Sequence, residues 1–184
     1  MRIIGGAWKR SVLHFPALAD LRPTPDRVRE TLFNWLGQDL GGEHCLDLYA
    51  GSGALGFEAA SRGAARVVLV EHDRAAVQAL RANAERLSAQ SLQVVGGDAA
   101  GFLAAANERF DLVFLDPPFR QNVLAEVLAR LPRVLKPGAR VYVEAPQAVE
   151  AKGAWRELKR GRAGQVSYQL LEWNDDRSSL SRDV

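Results

Sequence analysis

The chain has 184 residues, 47% apolar and 25% charged, a length and composition that suit one soluble domain with a substantial core. A formal net charge of +2 names no partner by itself, and a single cysteine excludes an internal disulfide framework. No run of about 18 apolar residues is present to span a membrane, and the opening MRIIGGAWKR lacks the apolar stretch of a signal peptide, so the expected location is the cytoplasm.

Short apolar pieces around Gly5-Gly6 read as a small hairpin. Residues 1–35 carry six basic side chains, among them Lys9, Arg10, Arg22, Arg27 and Arg29, against three acidic ones. RPTPDRVRETLFNWLGQDL reads as a helix. Thr24 is a capping residue, Pro25 suits the first helical position, and Val28, Leu32, Trp35 and Leu36 recur on one face. HCLDLYA is a buried strand, which GSGALG turns into a helix running through FEAASR. ARVVLVE is a second strand. DRAAVQALRANAERLSA is an amphipathic helix with Val77, Leu80, Ala84 and Leu87 on one stripe and Asp73 at its cap. LQVVG is a third strand, a short helix follows Asp98, and FDLVFLD is a fourth strand. A helix over 121–135, the strand GARVYVEA and two late strands near 154–160 and 166–173 complete the series. Residues 152–162 hold five basic residues against one acid, and 175–184 read as a frayed tail. This alternation predicts a single α/β domain built on a doubly wound, mostly parallel sheet. Residues 1–40 form its N-terminal extension and 41–174 its core.

Such sheets bind ligands beyond the carboxyl ends of their strands, where the strand order reverses. The residues at those ends are Asp47 with Gly51, Ser52 and Gly53, then Glu71, then Asp98, then Asp116-Pro117-Pro118-Phe119. Gly51, Gly53 and Gly56 make a G-x-G-x-x-G turn that lets a ligand approach backbone amides at a helix start. Glu71, at dinucleotide spacing from Gly51, is placed to hold both hydroxyls of a ribose. The pattern fits a nicotinamide or flavin dinucleotide and equally S-adenosylmethionine; a plain strand-to-helix turn with surface acids is the ordinary alternative. Asp47 favours S-adenosylmethionine, because a carboxylate draws an ammonium and repels a pyrophosphate. Asp98 either accepts from an adenine amine or caps the next helix.

DPPF separates the two cofactors. Transfer of a methyl group by in-line displacement needs a lone pair on the acceptor, and the exocyclic amine of a nucleobase has its pair delocalised into the ring. Two fixed hydrogen-bond acceptors that hold both N–H bonds favour the pyramidal form. The Asp116 carboxylate and the Pro117 carbonyl are candidates for this pair. The two prolines stiffen the turn and bring no competing N–H, and Phe119 can stack on a base taken out of its helix. A hydride-transferring enzyme has no comparable use for this arrangement; a proline-rich loop with Phe119 in the core is the ordinary alternative.

On these residues the sequence resembles the Rossmann-type S-adenosylmethionine-dependent methyltransferases, and within them the amino-methylating enzymes with an Asp/Asn-Pro-Pro-aromatic motif. It is most similar to the bacterial small-subunit ribosomal RNA guanine-N2 methyltransferases of the RsmD family. RIIGGAWKR, LRPTPDRVRETLFNWL, LDLYAGSGALGFEAASRGA, VLVEHD, GDA, LDPPF and LLEW carry the likeness, the second of these being the most specific. The resemblance implies a seven-stranded sheet of order 3-2-1-4-5-7-6 with the seventh strand antiparallel. It implies S-adenosylmethionine as cofactor and ribosomal RNA, in an assembled or partly assembled small subunit, as partner. Arg22, Pro23 and Thr24 are then expected over the cofactor or substrate entrance, with Thr24 a cofactor-binding candidate. Arg27 and Arg29, with Lys9 and Arg10, are candidates for RNA phosphate, a solvated helix face being the alternative for the two helical arginines. Tyr49 replaces a usual Phe, and Glu58 lies where an apolar or polar residue would serve equally. No metal is expected, since His14, His44 and His72 lack ligand spacing. Cys45 reads as core, and Trp155 and Trp173 as packing residues, one of which could flank the base. Rival readings are an adenine-N6 or cytosine-N4 methyltransferase, a dinucleotide oxidoreductase, and a non-catalytic RNA-binding module.

Overall fold

Apolar runs bury β1 (His44–Asp47), β2 (Arg66–Glu71) and β4 (Phe110–Leu115) almost completely. With β3 (Leu92–Gly96) and β5 (Leu135–Ala145) they make the parallel part of one sheet. β6 (Trp155–Ala163) and β7 (Val166–Trp173) form a hairpin, and β7 runs antiparallel to both its neighbours. The order is β3-β2-β1-β4-β5-β7-β6, the one the resemblance implies. The structure, a computed structural model, describes residues 1–17, 24–118 and 123–174. From β1 the chain steps outward to β3 and then returns to place β4 on the other side of β1. The switch point therefore lies beyond the ends of β1 and β4.

Helices cover both faces. α1 (Asp26–Leu36), α2 (Ala54–Ser61) and α3 (Arg74–Arg86) pack on the face that carries Cys45, Leu69, Phe114 and Tyr142. α4 (Ala99–Ala105) and α5 (Leu124–Arg130) pack on the face that carries Leu46, Val68, Val113 and Val143. In α1 the apolar stripe buries Val28, Leu32, Phe33 and Leu36, worth about 1.5–3 kcal/mol each. Trp35 stacks on Tyr168 at 5.3 Å, joining the helix to β7. α1 begins at Asp26 rather than beside Thr24: Pro25 is its N-cap, without a side-chain bond, and the Thr24 hydroxyl is used elsewhere. The helix expected over 121–135 is also shorter. Pro132 has no N–H to continue the α-helical ladder, so α5 gives way to a 3₁₀ turn, Leu131–Val134, and β5 starts at Leu135.

The expected N-terminal hairpin is present, with Arg2 bridged to Val12 and Ile3 N donating to Ser11 O at 2.9 Å. It docks on α2. Ile4 N and Gly5 N donate to the Glu58 carboxylate at 2.9 and 2.7 Å, and Trp8 N donates to Ser61 Oγ at 2.9 Å. Gly6 has a φ of +74°, and a Cβ there would fall 1.8 Å from Ser61 O, so the chain needs glycine at that point. Glu58 is completely buried and also accepts from Arg62 Nε at 3.0 Å and Arg29 Nη1 at 3.5 Å. By sequence alone this position looks indifferent. It is instead the pin that joins hairpin, α1 and α2.

Candidate active site

The carboxyl ends of the strands gather acids. Asp47 closes β1, Glu71 closes β2, Asp116 follows β4, and Glu144 is the penultimate residue of β5. In register, Leu115 lies opposite Val143, which sets Asp116 beside Glu144 on adjacent strands. Asp47, Glu71 and Glu144 are buried and Asp116 is half-buried. Among the described residues the one basic side chain paired with any of these four is His72, whose Nδ1 lies 3.1 Å from Glu71 Oε1. Burial pushes the Asp47 carboxyl up to about 7, helped by the charges of Glu71 and Glu144. Burial likewise raises Asp116 well above the usual carboxylate range, with Glu144 and then Asp47 adding to it. Acids gathered at these strand ends suit a cationic ligand better than a pyrophosphate.

The turn between β1 and α2 explains its glycines. Gly53 has a φ of +78° and is the N-cap of α2. At Gly56 an added Cβ would fall 2.0 Å from a Leu69 methyl, so the helix can approach β2 only without a side chain there. Gly56 N donates to Asp47 Oδ2 at 3.1 Å. Gly51 N donates to Glu71 Oε2 at 2.8 Å, while Asp73 N donates to Glu71 Oε1 at 2.8 Å. The Gly51 amide is thus taken by the chain itself, contrary to the expectation that this turn offers its amides to a ligand. Glu71 keeps capacity for further donors, since an ionised carboxylate has about four acceptor sites. Ser52 is buried within the turn. Asp98 is exposed and caps α4, its Oδ1 accepting from Gly101 N at 2.8 Å.

On the β4 side, Pro117 is buried and Pro118 exposed, so the chain turns from the core to the surface directly after Asp116. Phe119 lies outside the described residues, as do Arg22 and Pro23. Glu144 Oε1 accepts from the Tyr142 hydroxyl at 2.8 Å and from Thr24 Oγ1 at 3.1 Å. Thr24 therefore reaches the crevice through Glu144. Neither Glu144 nor Tyr142 was singled out from sequence, although Glu144 obeys the same strand-end rule that found Asp47, Glu71 and Asp116.

The basic candidates separate. Arg27 is exposed in the first turn of α1, close in sequence to Thr24. Arg29 is a correction: it is fully buried, bonded to Glu58, to Asp26 at 2.5 Å and to Arg2 O at 3.1 Å, and it has no surface to offer a phosphate. Lys9 and Arg10 are exposed, but their turn is held by Ser61, at the end of α2 remote from the glycine turn, about 12 Å along the helix. Trp155 and Trp173 pack edge to face at 5.0 Å, across from the Arg140 end of β5 rather than its Glu144 end, so neither flanks the crevice. Cys45 is fully buried, and burial pushes its thiol up, which fits core and not nucleophile.

A sheet in this order with an antiparallel β7, a glycine turn after β1 and an Asp-Pro-Pro turn after β4 defines a Rossmann-type methyltransferase. The family model described as Conserved hypothetical protein 95 matches residues 1–172, and the chain belongs to that family. It is 44% identical over 179 residues to the Ribosomal RNA small subunit methyltransferase D of Escherichia coli K12, covering 94% of this chain and 89% of the relative. The Haemophilus influenzae protein of the same name is 39% identical, with 94% and 93% covered. Among solved structures, the putative methyltransferase yhhF from Escherichia coli superposes with a TM-score of 0.87 at 44% identity, over 95% of this chain and 98% of that one.

Proposed function

We propose that this protein uses S-adenosylmethionine to methylate the exocyclic N2 amine of a guanine in small-subunit ribosomal RNA. The observation that carries the reading is the Asp116-Pro117 turn opening into an acid-lined crevice at the switch point. The names of the relatives at 44% and 39% identity support the substrate class.

The donor set fits the cofactor. Glu71, with lone pairs to spare at the end of β2, is suited to a ribose, and Asp47 to an ammonium. Asp98 keeps one oxygen beyond its cap for an adenine amine. The chemistry the cofactor supplies is an electrophilic methyl group on a sulfonium. Asp116 and the Pro117 carbonyl hold the two N–H bonds of the amine, turn its lone pair out of conjugation and aim it. Asp116 in its ionised form, hydrogen-bonded to the amine, is placed to receive the proton lost on methylation.

Arg27 on α1, and Lys159 and Arg162 on the exposed edge strand β6, provide phosphate contacts on the surface around the crevice. The β6–β7 turn lies at the Glu144 end of β5, so this edge borders the crevice. With little surface beyond the catalytic fold, selection of one base rests on the shape of a folded target, an assembled or partly assembled small subunit in the cytoplasm. Asp116→Ala tests the acceptor role. Single-turnover methyl transfer should fall at least about 100-fold, with cofactor affinity by calorimetry nearly unchanged. A rate close to that of the wild type would exclude Asp116 as acceptor.

A further inference from the structure

Glu144 is one carboxylate more than the chemistry above requires. It is 7% exposed, on the strand next to β4 and away from the glycine turn, so it stands on the side of the crevice left for the substrate. Its two oxygens are treated differently. Oε1 receives the Tyr142 hydroxyl at 2.8 Å and the Thr24 hydroxyl at 3.1 Å, from β5 itself and from the segment leading into α1. Oε2 receives no hydrogen bond from the described residues. The charge of Glu144 raises Asp116 and Asp47 alike, which places it within electrostatic reach of both. Among the described residues this buried carboxylate is anchored on one oxygen and left open on the other, which suits it to accept a hydrogen from a ligand.

We infer that Glu144 is the guanine-selecting residue of this site, its Oε2 accepting the N1–H of the base whose N2 amine is held by Asp116. This rests on the proposed guanine-N2 activity. Guanine carries a donor, N1–H, beside its exocyclic amine. Adenine at N1 and cytosine at N3 carry a lone pair beside theirs. A carboxylate at that position therefore gains a charge-assisted hydrogen bond with guanine and meets a lone pair with either of the others. Sites built to bond a substrate N–H reject analogues that lack it by factors on the order of 10⁴. Thr24 and Tyr142 act as positioning residues that fix which oxygen is presented.

The test uses small subunits reconstituted with guanine or with 2-aminopurine at the methylated position. 2-Aminopurine keeps the 2-amine and carries a lone pair at N1. The wild type should prefer guanine by at least about 100-fold in kcat/KM, and Glu144→Gln, whose amide can donate to N1, should compress that preference below about 10-fold. Because each ratio is measured on one enzyme preparation, partial misfolding cancels. Tyr142→Phe, which releases one anchor of Oε1, should give an intermediate ratio, and it decides the matter if the Gln variant does not fold. A ratio unchanged from wild type in the variants overturns the role of Glu144. Absence of wild-type transfer to the guanine amine of unsubstituted subunits is a separate outcome, which overturns the proposed activity and this inference with it.

Discussion

Glu58→Ala removes the acceptor of two backbone N–H groups, Ile4 and Gly5, and of the Arg62 and Arg29 guanidiniums in one step. Glu58 and Arg29 have no exposed side-chain surface, while the other carboxylate on Arg29, Asp26, is 74% exposed and screened. The variant therefore strands a buried charge. Removing one partner of a buried pair costs roughly 3–5 kcal/mol. At about 2–4 °C per kcal/mol for a chain of this length, the melting temperature should fall by roughly 6–20 °C. Calorimetry and urea titration measure the loss, and hydrogen exchange at Ile4 and Gly5 should accelerate as the hairpin detaches from α2. Glu58→Gln keeps size and an acceptor and should lose distinctly less. A drop under about 3 °C for the alanine variant, with Ile4 and Gly5 still protected, would refute the idea that Glu58 pins the N-terminal segment.

Glu71→Ala should weaken S-adenosylmethionine binding by roughly 1–3 kcal/mol, because bonds to a charged acceptor are lost and the Gly51 turn loses its brace; unchanged affinity by calorimetry would make Glu71 structural only. Arg27→Glu should raise KM for subunits and lower the salt slope of binding by about one, without altering cofactor affinity, and a KM equal to that of the wild type would remove Arg27 from the interface. Only the ionised Asp47 attracts an ammonium, and its carboxyl rests at about 7. Cofactor affinity should therefore rise with pH through neutrality, on the order of tenfold between pH 6 and 7.5. Asp47→Asn should flatten that profile, and a flat profile in the wild type would contradict the role given to Asp47.

What was legible in the sequence is what local rules decide. Val67 to Val70 can only be a buried strand, Asp73 caps α3 through Ala76 N as its position suggests, and acids at strand ends converge because parallel strands end together. What escaped is set by partners far along the chain. Thr24 has the local chemistry of a cap, yet Glu144, 120 residues away, takes its hydroxyl. Arg29 reads as a solvated helix residue until the hairpin at Arg2 and the carboxylate of Glu58 close over it. Glu58 carries a faint signal of its own, a lone acid in ALGFEAAS, a helix buried on every side. Gly51 matched a ligand-binding pattern, but its amide is fixed by Glu71 across the turn. Pro132, by contrast, is a local signal, and it ends the α-helix short of the 121–135 span that periodicity suggests.

Asp116 is proposed to present the N2 amine of guanine in small-subunit RNA for methyl transfer. The most direct measurement incubates the protein and labelled S-adenosylmethionine with unmethylated small subunits, with the bare RNA of the same sequence and with duplex DNA, and then resolves the label by nucleoside analysis. The account predicts label in N2-methylguanosine, strongest with subunits, weaker with bare RNA and absent from DNA. Label on adenine or cytosine, or DNA outcompeting the subunit, would contradict it.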